Sequence, residues 1–417
     1  MKINYYLQRY LINRFKTSRE MFKLPISIKI ISFIVFIYYL GWGMVSPFFP
    51  LYLKKILGNY SSVGFIWGLL SIFSLFWAVL IGSFIDKTSK RRFISLTMIL
   101  YLPFSYFLLS IQNFMQFIYF RIYHSFSATS YWLASETYAR EHSPKGKAIE
   151  AISLFDVSST LSMVIGSLIG ALLINKLGFS ILYAVSFFSF FALLFSFFLP
   201  DHKRRLFNGI TLHKDFFSKG IKDLWAEKPL VKLTAFAFFF TFCSSVFGMI
   251  LPLFLNKIGA NYVQIALISA AFSLPLLLEP VFAVRKDRRA VLIYGLLGGA
   301  VVLFSMFFMQ STFLLFLASL LLGVSLAAIT PVLFGQFTVL MPKKKIGELS
   351  SIAFAIRSIA AGIGPITAGF VSDSLGLNYV FLFTFIVFLA LVFFVGVLFK
   401  KNKLSKRLLP QKAKQFI

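Results

Sequence analysis

A single cysteine in 417 residues, Cys243, sits inside an apolar run, so neither an intramolecular disulfide nor a cysteine metal cluster is available. Acids are scarce: 14 Asp and Glu stand against 42 Lys and Arg, and charged residues of both signs make up only 13% of the chain. No water-soluble domain of this length covers its surface with so little charge. The four histidines, His124, His142, His202 and His213, show no metal-type pairing and no acid at catalytic spacing. A Gly-rich phosphate loop ending in Lys-Ser or Lys-Thr is also missing, which disfavours a chain-encoded ATPase or a polytopic membrane enzyme. The chain is therefore read as a non-enzyme, with no metal and no cofactor expected. Residues 1–27 are basic but lack a short apolar core followed by a small-residue cleavage site, so the first apolar run is expected to stay as a membrane span.

What the chain has in excess is apolar length, at 59% of its residues. A helix needs roughly 20 apolar residues to cross a bilayer, because each backbone amide must find its partner within the segment. Twelve segments qualify, near 28–51, 62–84, 93–110, 115–138, 149–174, 179–199, 230–255, 262–284, 290–309, 312–340, 347–372 and 377–399. The N-tail, alternate loops and the C-tail carry 34 basic residues, whereas the opposite loops carry Lys54, Lys55, Lys176 and Lys257 alone. Lys and Arg favour the cytoplasmic side, so both termini are expected there. This topology accounts for the formal charge of +28 and leaves little reason to invoke a nucleic-acid partner.

The halves superpose on one another. Pro50-Leu51-Tyr52-Leu53-Lys54-Lys55-Ile56 matches Pro252-Leu253-Phe254-Leu255-Asn256-Lys257-Ile258, and Asn59-Tyr60 matches Asn261-Tyr262. Further on, Pro144-Lys145 meets Pro342-Lys343, Glu150 meets Glu348, Gly166 meets Gly364, and Leu177-Gly178 meets Leu375-Gly376. An ordered series of this kind indicates duplication. Six helices per half is an even number, so the halves are related by an axis along the membrane normal, as in one class of transporter. The expected organisation is an N-tail at 1–27, a six-helix bundle at 28–199, a polar connector at 200–229, a second bundle at 230–399 and a basic C-tail at 400–417. Tyr5, Tyr6, Tyr10, Leu11 and Phe15 give the N-tail the option of lying in the membrane interface.

Gly82-Ser83-Phe84-Ile85-Asp86-Lys87-Thr88-Ser89-Lys90-Arg91-Arg92, after the second span, resembles the signature loop of the major facilitator superfamily, with Ser89 in place of its second Gly. Leu40-Gly41-Trp42-Gly43 with Pro47, Pro50 and Tyr52 in span one, and Arg121-Ile122-Tyr123-His124 in span four, resemble patterns of its drug:proton antiporter branch. The span-five antiporter pattern is reduced to Gly166-Ser167 and Gly170-Ala171, while Gly364-Pro365 and Ala368-Gly369 in span eleven match it better. The resemblance implies two pseudo-symmetric six-helix bundles, with spans one, four, seven and ten lining a central cavity. It also implies that Gly82, Asp86, Lys87 and Arg91 form a conformational latch, with Asp86 on the N-terminus of span eleven and Arg91 meeting Glu136 or Glu141. The alternative is a merely topogenic charge cluster.

Ionisable groups at membrane depth cost roughly 2.5–3.5 kcal/mol at a helix centre, which makes the few present candidates for function. Arg121 and His124 share one helical face with Ala128 and Tyr131. With Tyr39 and Trp42 they are the candidate cavity residues. Arg121 has a structural alternative, bonding backbone carbonyls, and His124 is either a proton carrier or a hydrogen-bonded spectator. Asp156, some seven residues inside its span, is the proton-coupling candidate, the alternative being an acid paired at the bundle interface. Arg357 is a buried charge of open role. Gly41, Gly43, Gly166, Gly170, Gly364, Pro47, Pro50 and Pro365 are read as sites of close helix packing or bending. The expected function is a monomeric secondary-active transporter of a bacterial-type inner membrane, exporting a lipophilic or amphipathic small molecule against protons by alternating access, with uptake of a sugar, organic acid or similar solute as the alternative.

Overall fold

The computed structural model describes residues 24–144, 147–200, 222, 224–279, 282, 287–340 and 346–398, and among these every regular element is a helix. The N-tail, most of the connector, the C-tail and the side chains of Gly82, Asp86 and Lys87 lie outside the described residues. Among the described residues nine stretches are long and apolar enough to cross a bilayer, and the one at Glu150–Ser196 holds two crossings. Span four, Phe114–Glu141, is diluted by Tyr, Ser and Arg, and span eight, Tyr262–Leu278, is a shorter apolar helix; these two complete the twelve.

Several spans are interrupted where the sequence reading drew them continuous. Span one is Ile26–Val45 followed by Phe49–Leu57, with Pro47 in the break and Pro50 in the first turn of the second piece. Span three is Lys90–Tyr101 followed by Phe104–Leu109, parted at Pro103. Span eight is α-helical over Tyr262–Ser273 and tightens to a 3-10 turn at Leu274–Leu278, which contains Pro275. Proline lacks an amide hydrogen and its ring crowds the preceding turn, so it breaks or kinks a helix. The remaining spans are Tyr60–Lys87 (two), Ala148–Leu177 (five), Tyr183–Ser196 (six), Lys228–Lys257 (seven), Arg288–Phe308 (nine), Thr312–Leu340 (ten), Ile346–Ser374 (eleven) and Tyr379–Leu398 (twelve).

The duplication seen in sequence is repeated in local geometry. Asn59 and Asn261 cap spans two and eight, accepting from the Ser62 and Gln264 amides at 2.7 and 2.9 Å. Gly178 and Gly376 both adopt positive φ, 53° and 114°, directly after spans five and eleven. We call the face holding these caps and turns distal, and the face from which span one starts proximal.

In lipid the association of helices rests on close packing, since tails are as apolar as the side chains. Small residues serve that need between spans one and five: a Cβ on Gly166 would stand 2.5 Å from the Leu40 carbonyl oxygen, and one on Gly170 2.5 Å from that of Met44. Gly41 and Gly43 meet spans six and five in the same way, and Gly364 meets span seven at Phe242. Within each half the helices pack chiefly on one another. The two halves touch mainly where span two meets span eleven and span five meets span eight.

Candidate functional site

Span four places its polar face in the middle of the first bundle. Arg121, 1% exposed, donates from Nε to the Ile66 carbonyl of span two at 2.9 Å, and its guanidinium lies 4.9 Å from the centre of the Phe49 ring. Nη1 is 3.0 Å from Nδ1 of His124, so the two residues three apart in sequence do meet. Arg121 thus has a backbone carbonyl as partner, and its guanidinium is held inside the bundle.

Aromatic rings enclose the other side of His124. Trp42 stacks on the imidazole with centroids 5.0 Å apart and planes 8° from parallel, and the Trp42 indole donates to the Tyr38 hydroxyl at 2.8 Å. Tyr38 in turn packs against Tyr131 at 4.4 Å, Tyr101 at 5.1 Å and Tyr39 at 5.1 Å. The cluster brings together all five residues that the sequence singled out for the cavity, Arg121, His124, Tyr131, Tyr39 and Trp42, and adds Tyr38 and Tyr101. The hydroxyls of Tyr101 and Tyr131 are buried and make no well-formed hydrogen bond, with the Tyr38 and Ser135 hydroxyls as their near polar neighbours. A buried hydroxyl in that state costs free energy until something bonds to it.

Asp156 lies eight residues into span five, about 12 Å along the axis from its proximal end. Its side chain is exposed, and it is within electrostatic reach of Tyr39 in span one, Glu136 and Arg140 in span four, and Glu279 in span eight. Glu136 is engaged by Arg140 at 2.5 Å. The sequence reading did not single out Glu279, because it lies five residues from the end drawn for its span. The interruption of span eight changes its setting. Pro275 seats against Gly323 of span ten, where a Cβ would be 3.0 Å from the proline ring, and the turn at Leu274–Leu278 packs on span five. Glu279 follows directly, on the element that packs against the span carrying Asp156. No group of three or more His, Cys, Asp or Glu suited to a metal ion occurs among the described residues.

The remaining candidates lie outside this cluster. Lys90, rather than Arg91, pairs with Glu141, at 3.2 Å, joining spans three and four. Arg357 sits half-buried in span eleven, its guanidinium 5.9 Å from the Phe354 ring centre. A groove between spans nine and ten, past Tyr294, Val301 and Leu321, opens on exposed apolar side chains and lies away from these groups.

Comparison with known proteins agrees with this architecture. A family model described as Major Facilitator Superfamily matches residues 31–278 and 238–416. Among solved structures, the nucleoside transporter NupG is 16% identical, with 90% of this chain and 100% of that one covered and a TM-score of 0.73. The D-xylose-proton symporter is 17% identical, with 89% and 97% covered and a TM-score of 0.72. The human organic anion transporter MFSD10 (TETRAN) is 16% identical, with 88% and 98% covered and a TM-score of 0.66. No curated protein matches the sequence significantly.

Proposed function

Because the chain belongs to the major facilitator superfamily of transporters, we propose that it is a proton-coupled carrier that exports an amphipathic small molecule by rocking its two bundles about the space between them. The observation that carries the coupling is the turn at Leu274–Leu278 packing on span five, which brings Glu279 of the second bundle within electrostatic reach of Asp156 of the first. Two like charges brought together repel, so a proton shared between them stabilises their approach. Separating the bundles removes that repulsion and with it the reason to hold the proton. Protonation and solute release then favour opposite states of the same equilibrium. One proton moving down 100 mV supplies roughly 2.3 kcal/mol, enough to bias such a cycle appreciably.

The aromatic cluster around Trp42, Tyr39 and Tyr131 suits a solute with a flat or lipophilic part. The buried hydroxyls of Tyr101 and Tyr131, which make no well-formed hydrogen bond within the protein, favour a second reading, uptake of a polar ring compound such as a sugar or nucleoside. On either reading both termini lie in the cytoplasm, in keeping with the basic loops of the proximal face.

Purified protein in liposomes with a lumenal pH dye distinguishes the readings. A panel of lipophilic cations, sugars, nucleosides and organic acids is presented to wild type, Asp156→Asn and Glu279→Gln. Proton movement opposed to solute movement, and lost in both variants, is the expected result. Protons and solute moving together would establish uptake instead. Full coupling in Asp156→Asn and Glu279→Gln would refute the role of the carboxylate pair.

A further inference from the structure

The distal end of the seam between the bundles carries a charged cluster outside every motif of the sequence. Asp373 is the next-to-last residue of span eleven. One of its carboxylate oxygens accepts from the Tyr60 amide at 2.9 Å, and the other accepts from the Ser61 amide at 2.7 Å and from the Ser61 hydroxyl at 2.5 Å. Tyr60 and Ser61 are the first two residues of span two, where a helix leaves amides unpaired and its dipole favours negative charge. An acid of one bundle therefore completes the N-terminus of a helix in the other. The third amide, of Ser62, is already taken by Asn59. Lys54 completes the surroundings, with its ammonium 3.8 Å from the centre of the Tyr60 ring and within electrostatic reach of Asp373.

Below the cluster the helices touch backbone to backbone. A Cβ on Gly64 would stand 2.2 Å from the Pro365 oxygen, one on Gly68 2.2 Å from the Gly362 oxygen, and one on Gly369 2.5 Å from the Tyr60 oxygen. The pseudo-equivalent seam between spans five and eight lacks the charge. By the internal repeat the counterpart of Asp373 is Asn175, and span eight closes its own N-terminus with reciprocal Asn261 and Gln264 bonds, both 2.9 Å.

We propose that Asp373 is the distal latch of the transport cycle, holding that face shut through the amide end of span two and leaving it when the face opens. Span two runs antiparallel to span eleven and also has an acid, Asp86, in its next-to-last position. At the proximal end the family resemblance implies the corresponding arrangement, with Asp86 on the N-terminus of span eleven. The latch requires only alternating access and is independent of which solute or ion is carried.

The test is a distance measurement by double electron–electron resonance in lipid, without solute or pH gradient, between spin labels at Lys55→Cys and Leu375→Cys in a Cys243→Ala background. Asp373→Ala is expected to move the closed-to-open ratio at the distal face about tenfold toward open, the effect of losing one charge-assisted bond net of solvent. Ser61→Ala, which spares the backbone donors, is expected to move it less, and Asp373→Glu to restore part of the closed population. A distribution in Asp373→Ala that matches wild type overturns the proposal. Should that variant fail to fold, Asp373→Asn, which keeps the shape and removes the charge, carries the same test, and an unshifted distribution overturns the proposal there too.

Discussion

Gly64→Ala separates a moving contact from a fixed one. The added Cβ would lie 2.2 Å from the Pro365 oxygen and 3.1 Å from the Gly369 Cα, while ordinary contact begins at 3.4 Å. Both obstacles are backbone, so spans two and eleven must part by about 1 Å, because a close-packed seam has no slack to absorb the methyl. Overpacking of this kind costs about 1–3 kcal/mol. The cost falls only on the state in which the distal seam is closed, and it converts to a population shift of roughly 5- to 150-fold toward distal-open. The assay is the rate of maleimide labelling of Leu375→Cys in proteoliposomes, alongside melting in detergent. Gly166→Ala is the comparison, since its Cβ would stand 2.5 Å from the Leu40 oxygen inside one bundle and is penalised in every state of the cycle. That variant should lower the melting temperature without raising distal labelling. Gly335→Ala, with no neighbouring atom within 4 Å, should be neutral or slightly stabilising, as expected for relieving a glycine in a helix. If Gly64→Ala melts like Gly166→Ala and labels like wild type, the seam between spans two and eleven is static and the reasoning fails.

Two further outcomes follow from burial. Tyr131→Phe removes a buried hydroxyl that makes no well-formed hydrogen bond within the protein, so the melting temperature should hold or rise, by up to about 1 kcal/mol of stability, while solute affinity measured by titration falls. An affinity equal to wild type would take that hydroxyl out of the solute site. Cys243, fully buried in span seven, should resist maleimide in the native protein and react completely once unfolded in detergent, read as a mass shift; rapid native labelling would mean that span seven presents another face.

Much of the fold was readable because a bilayer admits few solutions. Once every backbone amide must be paired within its own segment, apolar length alone marks the spans, and the described helices begin and end close to the expected positions. Span four was found despite its polarity because Arg121 and His124 recur at helical spacing, and Asn59, Asn261, Gly178 and Gly376 carried the duplication as caps and turns. The breaks in spans one, three and eight were harder to see. Pro47, Pro103 and Pro275 stood in view, but a proline inside a transmembrane helix can be accommodated as well as break it, and neighbours decide which.

Charged groups divided along the same line. Asp156 and Arg121 stood out by depth, since an ionisable residue far inside an apolar run is costly wherever the chain folds. Glu279 and Asp373 lie near helix ends, where an acid is ordinary, and only the partners brought from another span make them notable.

The sequence by itself determined the solvent, the number of the spans, the duplication and the family resemblance, because these depend on composition and on spacing along the chain. The tertiary structure decided which carbonyl receives Arg121, which base meets Glu141, that Glu279 comes within electrostatic reach of Asp156, and that Asp373 closes the amide end of span two. Each of those is a contact between residues far apart in sequence. Local periodicity carries no information about such pairs, and the packing of backbones across glycine seams sets them.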